Sequence, residues 1–217
     1  MEGTGALVPH ERGLSMAERV RVSVDRLMGP DAALRVQQAV ITALVPRHAL
    51  QPKDVRYLHP GRTVLILLDD AEIRDDAVLM AGALLETWHP ALAAAPGAIV
   101  SAQGDATLVL DAGRRMQELL ARVPVPSGSE DDDALREALV TAGDDARMVA
   151  LVERLDHARH LHLYPREEWE PLYGSILSAY LPVAEWTGGR IGARYRRWAE
   201  AFARRLERER GADPSAS

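Results

Sequence analysis

Glu153, Asp156, His157 and His160 fall within one stretch, residues 146–163, whose pattern predicts a helix. At about 100° per residue these four side chains share an arc of roughly 100°. Met148, Leu151, Val152 and Leu155 occupy the other side. A helix with a carboxylate and imidazole face can supply metal ligands or acid and base groups. The plainer alternative is a solvated face, with Glu153 and Asp156 pairing weakly with Arg154 and Arg159. His162 lies off this face. Upstream, Arg56-Tyr57-Leu58-His59-Pro60 sets a histidine directly before a proline that suits the first position of a helix. Glu86-Thr87 closes a second, nearly continuous apolar run, Ala81-Gly82-Ala83-Leu84-Leu85. Hard divalent cations take several carboxylate or imidazole ligands around one point. Arg56, Arg62, Arg154 and His157 are the candidate contacts to a phosphorylated ligand, since guanidinium pairs well with phosphate.

Composition removes several other chemistries. There is no cysteine, which eliminates thiolate nucleophiles, disulfides and cysteine-bound zinc or iron–sulfur sites. No glycine-rich phosphate loop and no Gly-x-Ser-x-Gly turn is present. A net charge of −6 argues against general nucleic-acid binding. Met1 to Met16 has no signal-peptide pattern, and apolar runs such as Val64 to Leu68 are too short to span a bilayer. A cytoplasmic protein without membrane contact is the expectation.

The elements that must carry these residues read as helices, about eight or nine of them. Ala, Leu, Val, Arg and Glu dominate, and 47% of residues are hydrophobic, ample for one core. Residues 1–14 read as a mobile tail and 211–217 as a second tail, around a single domain over 15–210. Ser15 is the expected cap of a first helix ending near Leu27, with Glu18 as its capping-box partner. Helices are expected over Ala32–Leu44, capped by Asp31, then Pro60–Asp70, Arg74–Thr87 and Ala106–Ala121. Residues 123–133, with two prolines and an acidic run, read as an internal linker. Ala134–Thr141, Asp144–Leu163, Pro165–Leu181 and Arg190–Arg210 follow. The last is amphipathic, with Tyr195, Trp198, Phe202 and Leu206 on one face and arginines on the other. Short apolar pieces at 98–101 and 108–110 are the only, and poor, strand signals.

In this order the segments resemble the HD-domain hydrolase module of RelA/SpoT-type alarmone enzymes over roughly residues 30–205. Arg56 to Pro60 resembles the first family motif, and Ala81 to Leu85 the run before the His-Asp pair. Leu151 to Leu161 resembles the later Leu-Ala-Asp-Arg-Leu-His-Asn motif, and Tyr180-Leu181-Pro182-Val183-Ala184 a downstream Tyr-Ala-Pro-Leu-Ala segment. The resemblance implies an all-α, HD-domain-like bundle and a divalent metal, usually manganese, that activates water against the 3′-pyrophosphate of (p)ppGpp. By position in these motifs the resemblance implies His59, Glu86 and Glu153 as the candidate metal ligands, with Glu86 and Glu153 also the candidate catalytic carboxylates. The chain departs from it at Glu86-Thr87, which stands where the family has His-Asp, at Glu153 for a metal Asp and at His157 for an Asn. The acidic pair that usually follows is replaced by Pro90-Ala91.

Because a displacement of about 1 Å at a reacting centre can cost ~10²-fold in rate, the leading expectation is lost or weak metal-dependent hydrolysis. The chain would then be a nucleotide-binding, regulatory or interaction module, with a guanosine or other nucleotide phosphate or a protein as partner. The alternative is an active metal-dependent phosphohydrolase with a rebuilt site of His59, Glu86, Glu153 and His157, using Mn²⁺ or another divalent metal. The third is a helical scaffold without ligand. Both leading readings require His59, Glu86 and Glu153 to converge from three helices to within roughly 8 Å.

Overall fold

A computed structural model describes residues 9–51, 53–89, 113–126 and 131–212. The described residues are helical and contain no strand, as the composition implies. The expected strand signals at 98–101 and 108–110, the loop after His89, and the start of the helix expected at Ala106 lie outside the described residues.

Helix α1 (Glu11–Met28) and α2 (Pro30–Leu44) form an antiparallel hairpin around Gly29, whose φ of 88° turns the chain. The first helix starts four residues before the expected Ser15 cap. Tertiary packing accounts for this: the His10 amide donates to the Tyr57 hydroxyl at 2.8 Å, and Gly13 lies so close that a Cβ there would meet that oxygen at 2.6 Å. The expected Asp31 cap is two residues late, because Gly29 caps α2 and Pro30 opens it. After α2 a 3-10 turn, Pro46–Ala49, folds Arg47 back into the core.

Helix α3 (His59–Asp69) and helix α4 (Asp76–Trp88) carry two of the candidate site residues. The Asp75 carboxylate caps α4 by accepting from the Ala77 and Val78 amides at 3.0 and 3.4 Å. Ten of its residues are buried, as the near-continuous apolar run requires, and α4 sits at the centre of the bundle. It packs against α2, α3, α5 (Gly113–Leu120) and α7 (Asp144–His160). The close approach of α3 is made at Gly82, where a Cβ would meet Leu67 Cδ1 at 2.4 Å.

The linker expected over 123–133 is partly structure. Val123 is buried, its carbonyl lies 3.1 Å from His89 Nε2, and α6 (Asp132–Thr141) begins inside the acidic run, capped by Asp131. That placement follows from the helix dipole, which favours negative charge in a first turn.

The single helix expected over Pro165–Leu181 is broken into a 3-10 turn (Arg166–Glu168), α8 (Trp169–Ser175), a π-helical turn (Ile176–Tyr180) and α9 (Leu181–Thr187). Pro182 accounts for the last of these breaks. It has no N–H to give the Ser178 carbonyl, which accepts instead from Arg136 at 3.1 Å. Helix α10 (Gly189–Ala212) then runs back across α7. Its Tyr195 hydroxyl donates to the Leu151 carbonyl at 2.7 Å and its Trp198 indole to the Ala158 carbonyl at 2.7 Å. Leu161, Trp169, Phe202 and Leu206 form a second small core beside the main one. No described helix is long and apolar enough to cross a membrane.

Candidate metal centre

His59 at the start of α3, Glu86 near the end of α4, and Glu153 and His157 one turn apart on α7 meet at one point. One ligand atom from each lies within 4.8 Å of the others. Three helices therefore converge as the motif spacing requires, well inside the expected 8 Å. His157 Nε2 is 2.7 Å from Glu86 Oε1 and 3.2 Å from Glu153 Oε1, and His59 Nε2 is 3.8 Å from Glu86 Oε2. The two rings lie 4.4 Å apart between centroids. In a tetrahedron of ~2.1 Å bonds the ligand atoms are about 3.4 Å apart, so these separations suit one small cation after minor rotamer adjustment.

The outer partners orient the imidazoles. The His59 Nδ1–H donates to Asp156 Oδ2 at 2.8 Å, and the Thr63 hydroxyl approaches His59 Nε2 at 3.4 Å. His157 Nδ1 lies 3.1 Å from the Tyr164 hydroxyl. Each ring is held through Nδ1 and turns Nε2 toward the two carboxylates. A carboxylate that fixes the far nitrogen of a ligating histidine is the usual support of a metal site.

Arg47 closes the inner side. It is fully buried, donates to the Ala43 carbonyl at 2.8 Å and to the Thr87 hydroxyl at 3.0 Å, and forms an ion pair with Glu86 Oε2. Thr87, which stands where the resembled family has an Asp, is thus an acceptor for a fixed guanidinium. Glu86 bridges this cation and the His157 side of the cluster.

Burial works to raise the Glu86 carboxyl, but His59, His157 and Arg47 face it and hold it well below the usual range. The Glu153 carboxyl is likewise opposed by burial yet held down by Arg154 and His157. Burial would lower His157, but Glu153 and Glu86 outweigh it and push the imidazolium well above its ordinary value. For Asp156 burial is again outweighed, by the hydrogen bonds from His59 and Arg62, and the carboxyl stays well below its usual range.

The remaining sequence candidates have mixed placements. Arg62 chelates Asp156 through Nε at 2.9 and 3.0 Å and through Nη2 at 2.7 Å, and also donates to the Val55 carbonyl. Arg56 is half exposed and engages Asp54 at 3.0 and 2.7 Å. Both line a narrow surface cleft beside His59 and His157, too tight to hold a water molecule, together with Val55, His160 and Tyr164. Arg154 is not brought to that cleft. Its guanidinium lies over the Tyr180 ring, 5.3 Å from the centroid, with Nε 3.9 Å from Glu153. The cause is helical geometry, since α7 turns residue 154 about 100° from its neighbour Glu153. Arg159 is exposed, away from the cluster. His160 turns its Nδ1 to the Asp156 carbonyl at 2.7 Å and is not among the four residues whose ligand atoms converge.

Three participants were not singled out in these roles by the sequence pattern. Arg47 sits in no motif. Asp156 is visible on the polar face of its helix, but its partner His59 is 97 residues away. Tyr164 lies past the helix end. Compared with known proteins, the chain matches no family model, no curated protein and no solved structure.

Proposed function

We propose that the chain binds one divalent cation through His59, Glu86, Glu153 and His157 and hydrolyses a phosphate ester or anhydride there. The observation that carries this reading is the pair of imidazoles, each tied at Nδ1 and turning Nε2 to two ionised carboxylates. Two neutral imidazoles and two carboxylates balance a dication, and the donor set suits manganese or zinc. The expectation of weak or lost hydrolysis rested on Glu86 and Thr87. His157 supplies a nitrogen in place of the one lost at Glu86, which makes the rebuilt site the better reading.

A five- or six-coordinate divalent ion bound there would keep a position beyond the four side chains, and would lower the pKa of a water in it or polarise a phosphoryl oxygen. The protein's own contribution is positioning. Asp156 and Tyr164 hold the two rings, and Arg47 fixes one Glu86 oxygen so that the other faces the cluster. With Arg47 counted, a loaded site carries a net positive charge, which favours an anionic substrate. The cleft is too narrow to hold a water molecule, so a phosphate group engages the site from its mouth. Arg56 at the rim is itself half exposed and has the half-buried Asp54 as the partner to give up for that phosphate. The resemblance to RelA/SpoT-type HD hydrolases favours guanosine polyphosphates among the substrates to try.

A second reading is a metal-free phosphate-binding module. It is favoured by Arg47 together with a protonated His157, which already neutralise both carboxylates. A screen of guanosine tetraphosphate and other nucleotide phosphates, with and without manganese, separates the two. Turnover that needs manganese and is abolished in His59→Ala supports the hydrolase. Metal-independent binding without turnover supports the module.

A further inference from the structure

The geometry points to Tyr164 as a working member of this site, both as the positioning residue for His157 and as a donor to an anion bound at the mouth of the cleft. This rests on the metal reading above. If His157 ligates through Nε2, its only proton is on Nδ1, and that proton must be donated to the Tyr164 oxygen 3.1 Å away. The hydroxyl then serves as an acceptor toward His157, and its own hydrogen is free to point elsewhere. Tyr164 lines the cleft with Arg56 and Arg62, and the mouth of that cleft is the side from which a phosphate oxygen approaches.

The residue is placed with unusual care for a position beyond a helix end. Its amide donates to the Leu161 carbonyl at 3.0 Å, and its carbonyl accepts from the Trp169 indole at 2.9 Å. Trp169 belongs to the small core with Leu161, Phe202 and Leu206, against which Tyr164 is packed. That second core thus anchors the segment from which the tyrosine reaches the metal centre. This gives it a role besides packing α10.

The test compares wild type with Tyr164→Phe and, as a control for aromatic packing alone, Tyr173→Phe. Tyr173 packs against the same small core and its hydroxyl donates to the Ala199 carbonyl, away from the cleft. Mn²⁺ is titrated calorimetrically into each protein, and inorganic phosphate into each Mn²⁺-loaded protein. Tyr164→Phe is expected to weaken Mn²⁺ binding about tenfold, the ordinary effect of losing an outer partner of a ligating histidine. It is expected to weaken phosphate binding by the loaded protein about fivefold, as for one lost hydrogen bond. Tyr173→Phe should match wild type in both. Equal losses in both variants, or none in Tyr164→Phe, overturn the assignment, and loss of Mn²⁺ affinity alone overturns the anion contact. A wild type that takes up no Mn²⁺ removes the metal reading and this inference together. Wild-type uptake with an unaffected Tyr164→Phe removes this inference only.

Discussion

Replacing Asp156 with Asn should weaken both the fold and the metal centre, and the two losses can be separated. Asp156 is fully buried and joins His59 on α3 to its own helix α7, with Arg62 completing the pair. Removing one partner of a buried ion pair costs about 3–5 kcal/mol. Asn keeps an acceptor oxygen, and the Arg62 side chain retains 21% exposure through which water reaches it. The lower end, about 3 kcal/mol, is therefore expected for Asp156→Asn. In a chain of this size that corresponds to a melting temperature lower by roughly 6–12 °C. The loss should be pH-dependent. The Asp156 carboxyl lies below its ordinary value in the folded state, so its contribution is present above the unfolded value near 4 and disappears as pH falls through the folded one. Metal affinity should fall about 10- to 100-fold, because His59 loses the acceptor that fixes its tautomer. Arg62→Gln is the comparison. It breaks the same ion pair but leaves the His59–Asp156 bond, so it should destabilise without a comparable loss of metal affinity. Thermal melts of metal-free protein and calorimetric Mn²⁺ titrations measure the two quantities. Equal loss of metal affinity in both variants would refute the argument that Asp156 acts by orienting His59.

Three further outcomes are expected. Metal uptake at pH 7 should release about one proton per ion, because His157 is protonated in the metal-free protein and must be neutral to ligate; calorimetry in buffers of different ionisation enthalpy reads this, and no release would remove His157 from the ligand set. Burial lowers His89 and favours its neutral form in the folded state, so the stability it contributes is present above pH ~6.5 and lost as pH falls through its folded value; urea midpoints between pH 7.5 and 5.5 should fall less in His89→Gln than in wild type. Gly192→Ala should be more destabilising than Gly82→Ala, because the new methyl meets the fixed Ala184 carbonyl oxygen at 2.6 Å rather than the movable end of Leu67; overpacking of this kind costs about 1–3 kcal/mol, and chemical denaturation of the two variants gives the order.

The helical class and most element positions are legible in the sequence because each helix carries its own apolar period. α2, α3, α4 and α7 lie within a few residues of their expected bounds for that reason. The early start of α1 is set by Tyr57, almost fifty residues away, and no local pattern reports it. The break at Ser178–Pro182 is a local event that the proline announces, yet the apolar period on both sides reads as continuous.

At the site, His59, Glu86 and Glu153 stand out by motif order, and His157 by sharing a helix face with Glu153. Arg47 is invisible in the same sequence, because a lone arginine after a proline has no period and no spacing. Its role appears only when α2 and α4 are packed. Arg154 shows the opposite failure: nearness to Glu153 in sequence implies the cleft, whereas helical rotation sends it to Tyr180.

The central claim is that His59, Glu86, Glu153 and His157 form one divalent-cation site. The most direct measurement is elemental analysis of protein stripped with chelator, reloaded with manganese or zinc and freed of excess ion, for wild type and for the His59→Ala, Glu86→Gln, Glu153→Gln and His157→Ala variants. One ion per wild-type chain and a marked loss of retained ion in every variant are expected. A wild type that retains no ion, or an ion retained equally in all four variants, would contradict it.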